Sequence, residues 1–293
     1  MKGDKKVKGK VIVFYDNDPD GFGAAWAAWK KFGNQAFYFP EKHSMRSSAL
    51  RNIDITDSIV YFLDFCPNPA PFESITKKAK QVVVIDHHGT VASVVKSTPG
   101  CIYSLRNSAC ILSWKYFHKN KKVPRILKHV EDVDLWKYRI PGTRELFVSL
   151  SWKFNFRHWN TIARIIENTG TRNRYIRKGR IIIGYQNELV ARMSDEAERV
   201  RLGGHTAFAV NGSRYFNSLV GNHLLRLDKR IHVGIVFYFV DKNKYIRFSL
   251  RSDGKVDVGK IAHKLGGGGH ERSAAFQWPS HKPLPFKTIK QKV

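Results

Sequence analysis

Asp86, His87 and His88 put a carboxyl group and two imidazoles directly after an apolar run, Val82, Val83, Val84 and Ile85. A β-branched run of this kind reads as a strand buried in a parallel sheet. Side chains just past the carboxyl end of such a strand face the crevice where open α/β sheets bind ligands. A single Asp or His there is an ordinary strand-end cap; three coordinating side chains in a row are metal-site chemistry. Other segments repeat the pattern. Asp16, Asp18 and Asp20 alternate in a turn after the apolar residues 11–15, and Gly21 and Gly23 allow a tight strand-to-helix turn. Three carboxylates so close repel one another unless cations neutralise them. The turn lacks the later Glu of a calcium loop, and an apolar strand precedes it, which argues against that reading. Asp64 follows the apolar residues 59–63, and Asp132 and Asp134 add two acids to a helix that Pro124 opens. Carboxylate and imidazole without thiolate suit manganese or magnesium. So many ligands imply two ions sharing one Asp. Such pairs, roughly 3.5–4 Å apart, clamp the attacking and leaving oxygens of a phosphoryl displacement and activate water.

The elements that must position these side chains alternate along the first half of the chain. Strands are expected at residues 11–15, 59–63 and 82–85, separated by helix-length segments, one of them at 22–32. That rhythm predicts an α/β fold with a doubly wound, mainly parallel sheet, helices on both faces and the metal site at the carboxyl ends of the strands. From about His158 the pattern turns helical as far as Gly203-Gly204, a helix stop. A second, smaller α/β unit follows, with strands at 206–210, 232–240 and 245–250 and helices at 213–225 and 258–265. The expected organisation is a metal-binding domain over 1–150, a helical connector over 151–203, a second domain over 204–280 and a basic, poorly ordered tail over 281–293. Trp26, Trp29, Trp114 and Trp136 stand at helical spacing among apolar neighbours and read as core. His43, His118 and His205 lack partners in the sequence and read as surface residues.

Composition narrows the class. Fifty-one Lys and Arg against 24 Asp and Glu give a formal charge of +27, a field that favours polyanions, nucleic acid first among them. The first ten residues carry five Lys, and residues 172–180 carry five cations. The longest apolar stretch, near residues 235–240, is too short to span a bilayer, and the first residues lack the apolar segment of a signal peptide. Cys66, Cys101 and Cys110 have no paired spacing and fit reduced thiols in a cytoplasmic protein.

In this order the segments resemble the DHH phosphoesterase superfamily, whose name is the Asp86-His87-His88 triplet. The second unit, with Arg251 and Ser252, then the glycine run at 266–269, His270 and the small residues that follow, is similar to the DHH-associated carboxy-terminal domain. The resemblance implies that Asp64 bridges two ions, that Asp18 holds the first, and that Asp20, His87 and Asp132 hold the second. It implies that His88 contacts the scissile phosphate or orients a ligand and that Asp86 fixes an imidazole. It also assigns Arg251, Ser252, Gly267, Gly268, Gly269 and His270 to the substrate's phosphate or terminal nucleotide. The glycine run read by itself is an anion cradle of exposed N–H groups or a helix C-cap. Two departures stand out: Phe14 occupies a position where many family members have His, so Asp16 is the candidate replacement ligand. Asp132 and Asp134 compete for one role, because residues two apart on a helix face opposite sides, and Asp132 is the expected ligand. The implied activity is manganese-dependent hydrolysis of short single-stranded RNA or DNA to mononucleotides by metal-activated water, magnesium being possible. A RecJ-like single-strand exonuclease, a cyclic-dinucleotide phosphodiesterase, a phosphatase for 3′-phosphoadenosine 5′-phosphate and a non-catalytic nucleic-acid-binding protein stay open, as does a homodimer.

Overall fold

The computed structural model describes residues 10–41, 53–98 and 100–289. The chain divides into two compact units, residues 1–182 and 183–293. The expected segmentation differs at two places. A strand at Glu198–Leu202 lies at the end of the stretch read as connector, and a strand at Lys287–Thr288 lies in the stretch read as a disordered tail. The pairing of these two strands with each other orders the tail, whose basic composition hid a ladder partner. His43 lies outside the described residues.

The first unit is built on five parallel strands, β1 (Val11–Asp16), β2 (Ala36–Glu41), β3 (Ile59–Leu63), β4 (Gln81–Asp86) and β5 (Ile102–Tyr103), in the order β2-β1-β3-β4-β5. This is a doubly wound sheet whose strand order reverses between β1 and β3, the place where such sheets bind ligands. β2 and β5 are edge strands that the sequence pattern did not expose; β2 carries Pro40, which only an edge tolerates. Alternation along the strands separates two cores. Val13, Tyr15, Tyr61, Leu63, Val83 and Ile85 face one, and Ile12, Phe14, Val60, Phe62, Val82 and Val84 the other. The first core is covered by α1 (Pro19–Phe32), α4 (Ala109–Phe117) and α5 (Arg125–Asp134), and the second by α2 (Pro69–Lys78) and α3 (Ala92–Ser97). Helices α6 (Thr143–Ser149), α7 (Phe156–Glu167) and α8 (Thr169–Asp195) complete the helical part, and the cation-rich residues 172–180 lie on α8. There Arg172, Arg177 and Arg180 line a cavity of about 540 Å³ with Arg125 and His129.

Helix α1 begins where β1 ends because Asp18 caps it, accepting a hydrogen bond from Gly21 N at 2.9 Å, and Pro19 supplies a preset first helical residue. Phe22 pins that first turn, its ring 4.9–5.1 Å from those of Phe154, Phe156 and Trp159. Trp26 and Trp114 are buried as expected, but Trp136 is 78 % exposed. Its apolar neighbours in sequence lie on α5, whereas Trp136 itself stands beyond the helix end. His118 is buried rather than at the surface, its Nε2 3.0 Å from the Ala27 carbonyl oxygen.

The second unit holds β6 (Glu198–Leu202), β7 (His205–Asn211), β8 (Val233–Val240), β9 (Tyr245–Ser252), β10 (Gly268–His270), β11 (Ser273–Pro279) and β12 (Lys287–Thr288) in the order β10-β11-β9-β8-β7-β6-β12. Among the described residues only β7 and β8 pair in parallel there. Helix α9 (Asn217–Leu227) packs with Val210 and Val236, and α10 (Val258–Lys264) packs with Phe248, Leu250 and Phe276. Among the described residues no helix is long and apolar enough to cross a membrane.

A Cβ at Gly21 meets the Asp16 carbonyl oxygen at 2.2 Å, so the first turn of α1 lies directly on the end of β1. Gly21→Ala is expected to destabilise the protein by roughly 1–3 kcal/mol in urea unfolding. A Cβ at Gly184, inside α8, meets nothing within 4 Å. Gly184→Ala is expected to stabilise by roughly 0.5–1 kcal/mol in the same assay.

Candidate metal centre

Three strand ends and two helix ends bring the acids and imidazoles together. Asp16 ends β1, Asp64 follows β3, Asp86 ends β4, Asp18 and Asp20 open α1, and Asp134 closes α5. The donor atoms form three overlapping groups, each with its members within 4.8 Å of one another: Asp16, Asp18 and Asp64; Asp64, His87 and His88; Asp20, His87 and Asp134. His87 Nε2 lies 3.3 Å from Asp64 Oδ1, 3.6 Å from Asp20 Oδ2 and 3.5 Å from Asp134 Oδ2. Asp64 is common to the first two groups and His87 to the last two; a carboxylate such as that of Asp64 can be shared by two neighbouring ions, whereas the one imidazole nitrogen of His87 would serve one.

Each donor is held by its own local device. Asp64 has φ 68°, a left-handed conformation that costs most residues about 1–2 kcal/mol and that Asp tolerates better than most. Its N–H donates to Ile85 O at 2.9 Å, extending the β3–β4 ladder by one residue before the chain turns away. Asp86 Oδ1 accepts from the backbone N–H groups of His87 and His88 and lies 2.8 Å from His88 Nδ1. It therefore orients the His88 imidazole. Asp20 accepts from Ser108 Oγ, Ala109 N and Cys110 N at the start of α4, which anchors its carboxylate on a helix N-terminus. Phe14 is fully buried in the second core against Phe39 and Phe62, and Asp16 belongs to a donor group with Asp18 and Asp64.

The expected ligand Asp132 is not in the cluster. Asp132 Oδ1 accepts from Arg139 N at 2.8 Å, and Oδ2 accepts from Ile140 N at 3.0 Å and Thr143 Oγ1 at 2.7 Å, so its carboxylate fastens the loop after α5. Asp134 lies in the cluster instead, in a donor group with Asp20 and His87. The two do face opposite sides of the helix, but the inward-facing acid is consumed by loop N–H groups that have no helical partner. That demand becomes visible only once the loop 135–142 is folded back on α5.

The electrostatics call for cations. Asp64 Oδ1, Asp86 Oδ2, His87 Nε2 and Asp134 Oδ2 are buried without a hydrogen-bond partner, which is costly for polar atoms unless something else neutralises them. Burial, then the nearby Asp20 and Asp18, pushes the Asp134 carboxyl up to about 7. Burial and the surrounding acids hold Asp64 well above the usual carboxylate range. Burial pulls His87 down, and the bond to Asp86 raises His88. Unpaired oxygens and a neutral, unpartnered imidazole nitrogen fit divalent ions of the manganese or magnesium type.

In the second unit the assigned residues divide. Arg251 and His270 stand opposite the same residue, Ser273, across β9, β11 and β10, so all three lie in one row. Arg251 is tied down by Ser218 Oγ, Ser249 Oγ and Leu250 O, beneath a close approach of Gly221. Ser252 is buried, and its hydroxyl accepts from Gly254 N, closing the turn after β9. The glycine run is a helix cap first. Gly267 N donates to Ala262 O and Gly266 N to His263 O, a Schellman motif that ends α10. Gly267 and Gly269 then allow β11 to lie against the chain, since a Cβ at either meets β11 backbone within 2.7 Å. Of the assigned glycines, Gly268 alone has open space where a side chain would stand.

Residues 204–293 match the DHHA1 domain family. The uncharacterized protein R106 of Acanthamoeba polyphaga mimivirus is 26 % identical over 299 residues, covering 95 % of this chain and 70 % of that protein. Among solved structures, the pGpG-specific phosphodiesterase PggH of Vibrio cholerae aligns with TM-score 0.51 and 13 % identity over 92 % of this chain and 93 % of its own. The exonuclease RecJ bound to manganese aligns with TM-score 0.48 and 16 % identity over 92 % and 86 %. The fold is similar to that of PggH. Residues 204–293, at the carboxyl end, form a DHHA1 domain.

Ions bind the deprotonated carboxylates, and a raised carboxyl pKa keeps the proton on at higher pH. Affinity for Mn2+ is therefore expected to fall as pH drops through about 7, the value for Asp134, by about tenfold per pH unit for each proton displaced. Calorimetry in buffers of different ionisation enthalpy should show proton release below that pH and little above it. Asp134→Asn should remove much of this release, whereas Asp132→Asn should leave it in place.

Proposed function

We propose that this chain hydrolyses phosphodiester bonds of short oligonucleotides, releasing mononucleotides, with manganese as the working ion. The observation that carries the reading is the set of overlapping donor groups, in which Asp64 and His87 each serve two. Asp16, Asp18 and Asp64 would hold one ion, and Asp20, His87 and Asp134 the other, with Asp64 between them. Bound divalent ions supply Lewis-acid polarisation of the phosphate and an acidified water. The chain's own groups do the rest. Asp86 orients His88 and raises its pKa, favouring the protonated ring that can stabilise or protonate a departing oxygen. The buried walls of the cluster limit competing solvent. The charge of +27 favours a polyanionic substrate and its rapid capture. Arg251 and His270, aligned in one row of the second unit, suit binding of a substrate phosphate.

The test is hydrolysis with Mn2+ of a labelled dinucleotide, a pentanucleotide and a long single strand in RNA and DNA forms, beside a cyclic dinucleotide and 3′-phosphoadenosine 5′-phosphate. Wild type is expected to prefer the short linear pieces. Asp64→Asn and His87→Ala should lose at least a thousandfold in kcat, and Arg251→Ala should chiefly raise KM. Preference for the long strand or the cyclic substrate would replace the proposed substrate class, and activity surviving in Asp64→Asn would refute the shared-ligand site.

A further inference from the structure

Trp136 stands two residues beyond the donor Asp134 with most of its indole in solvent, at 78 % exposure. Trp136 is not alone: the Tyr138 ring stands against it, so the loop after α5 turns an aromatic pair rather than a single side chain toward solvent. The conformation carries a cost. Trp136 has φ 51° and Tyr138 has φ 45°, both in the left-handed region that aromatic residues rarely enter. Strain of this kind persists where surrounding bonds over-determine it, and it gathers at ligand sites. Here Asp132 supplies those bonds. Its carbonyl oxygen accepts from Lys137 N at 3.0 Å and Tyr138 N at 3.1 Å, while its carboxylate accepts from Arg139 N and Ile140 N. Trp136 N donates to Val133 O at 3.0 Å, and Thr143 Oγ1 braces the Asp132 carboxylate from α6.

The loop so fixed presents a composed aromatic surface. The Tyr138 ring meets Trp136 edge-on at 5.9 Å between centroids, and the Arg144 guanidinium lies 4.4 Å over the Tyr138 ring. Arg139 and Arg144 are both exposed. An indole face on a loop with exposed cations, two residues past Asp134 of a candidate donor group, has the chemistry that accepts a nucleobase while the adjoining phosphate is held by charge.

The geometry points to Trp136, braced by Tyr138, as a stacking platform for the nucleobase next to the phosphate that the metal centre handles. This rests on the oligonucleotide reading for its substrate, and Asp132 is a positioning residue that sets the platform. Because an indole stacks on any base, the platform selects for the presence of a base rather than its identity.

Two measurements test it, one of them independent of turnover. The first compares kcat/KM for a dinucleotide and an abasic analogue in wild type, Trp136→Phe, Trp136→Asn and Trp136→Ala. Wild type should prefer the dinucleotide by roughly 5- to 150-fold, a preference largely kept by Phe and lost by Ala and Asn through KM. Asn fits a left-handed position better than Trp, so Trp136→Asn should unfold at equal or higher temperature while still losing the preference. A structural role for the indole would reverse that pattern. The second is quenching of tryptophan emission by AMP with Mg2+, which should be strong in wild type and largely absent in Trp136→Phe while AMP binding by dialysis persists. Equal quenching in both proteins, or an unchanged dinucleotide preference in Trp136→Ala, overturns the platform. If wild type cleaves no dinucleotide, the oligonucleotide reading fails, and the quenching result alone decides the platform.

Discussion

Mutual repulsion among the carboxylates at the strand ends is the constraint around which the first unit is arranged. Asp16, Asp18, Asp20, Asp64, Asp86 and Asp134 are gathered where the order of the parallel sheet reverses, and several of their oxygens are buried without partners. Neither core compensates for that concentration of like charge directly. What the fold supplies is rigidity: aromatic packing around Phe22, a glycine laid on the end of β1, and a carboxylate fixed on the first turn of α4. The donors are thus kept in place in a state that bound protons or cations relieve.

The acids divide into those that belong to the donor groups and those that hold the scaffold, and type alone does not sort them. Asp86 and Asp132 are as buried as Asp64, yet both use their oxygens on backbone N–H groups. Asp18 does both, capping α1 with one oxygen while belonging to a donor group. Asp20 likewise serves α4 and the cluster. Sharing of this kind couples the position of two helices to the occupancy of the centre.

Much of this was legible in the residues. The β-branched runs ending in Asp marked β1, β3 and β4 and the ends at which chemistry gathers, because central parallel strands must be apolar throughout. The edge strands β2 and β5 escaped notice, one carrying a proline and the other only two residues long. The donor at the end of α5 was misplaced from Asp134 to Asp132, since helical spacing says that two acids face apart but not which side the following loop claims. Trp136 was misread for a related reason: apolar neighbours along a chain imply a core only while the helix continues, and α5 ends two residues earlier. The glycine run allows a cradle or a helix cap, and the Schellman bonds and the approach of β11 account for most of it as a cap.

The left-handed backbone at Asp64 carries a consequence for how this lineage can change. Few side chains accept that conformation, and Asn is the one that also preserves the shape and hydrogen bonding of Asp. Asp and Asn codons differ by a single base. One base change therefore replaces the carboxylate common to two donor groups with an amide of the same shape, keeping the backbone conformation while removing a charge that ion binding would need. Residue 64 is the position to read first when sorting related chains for an intact metal centre.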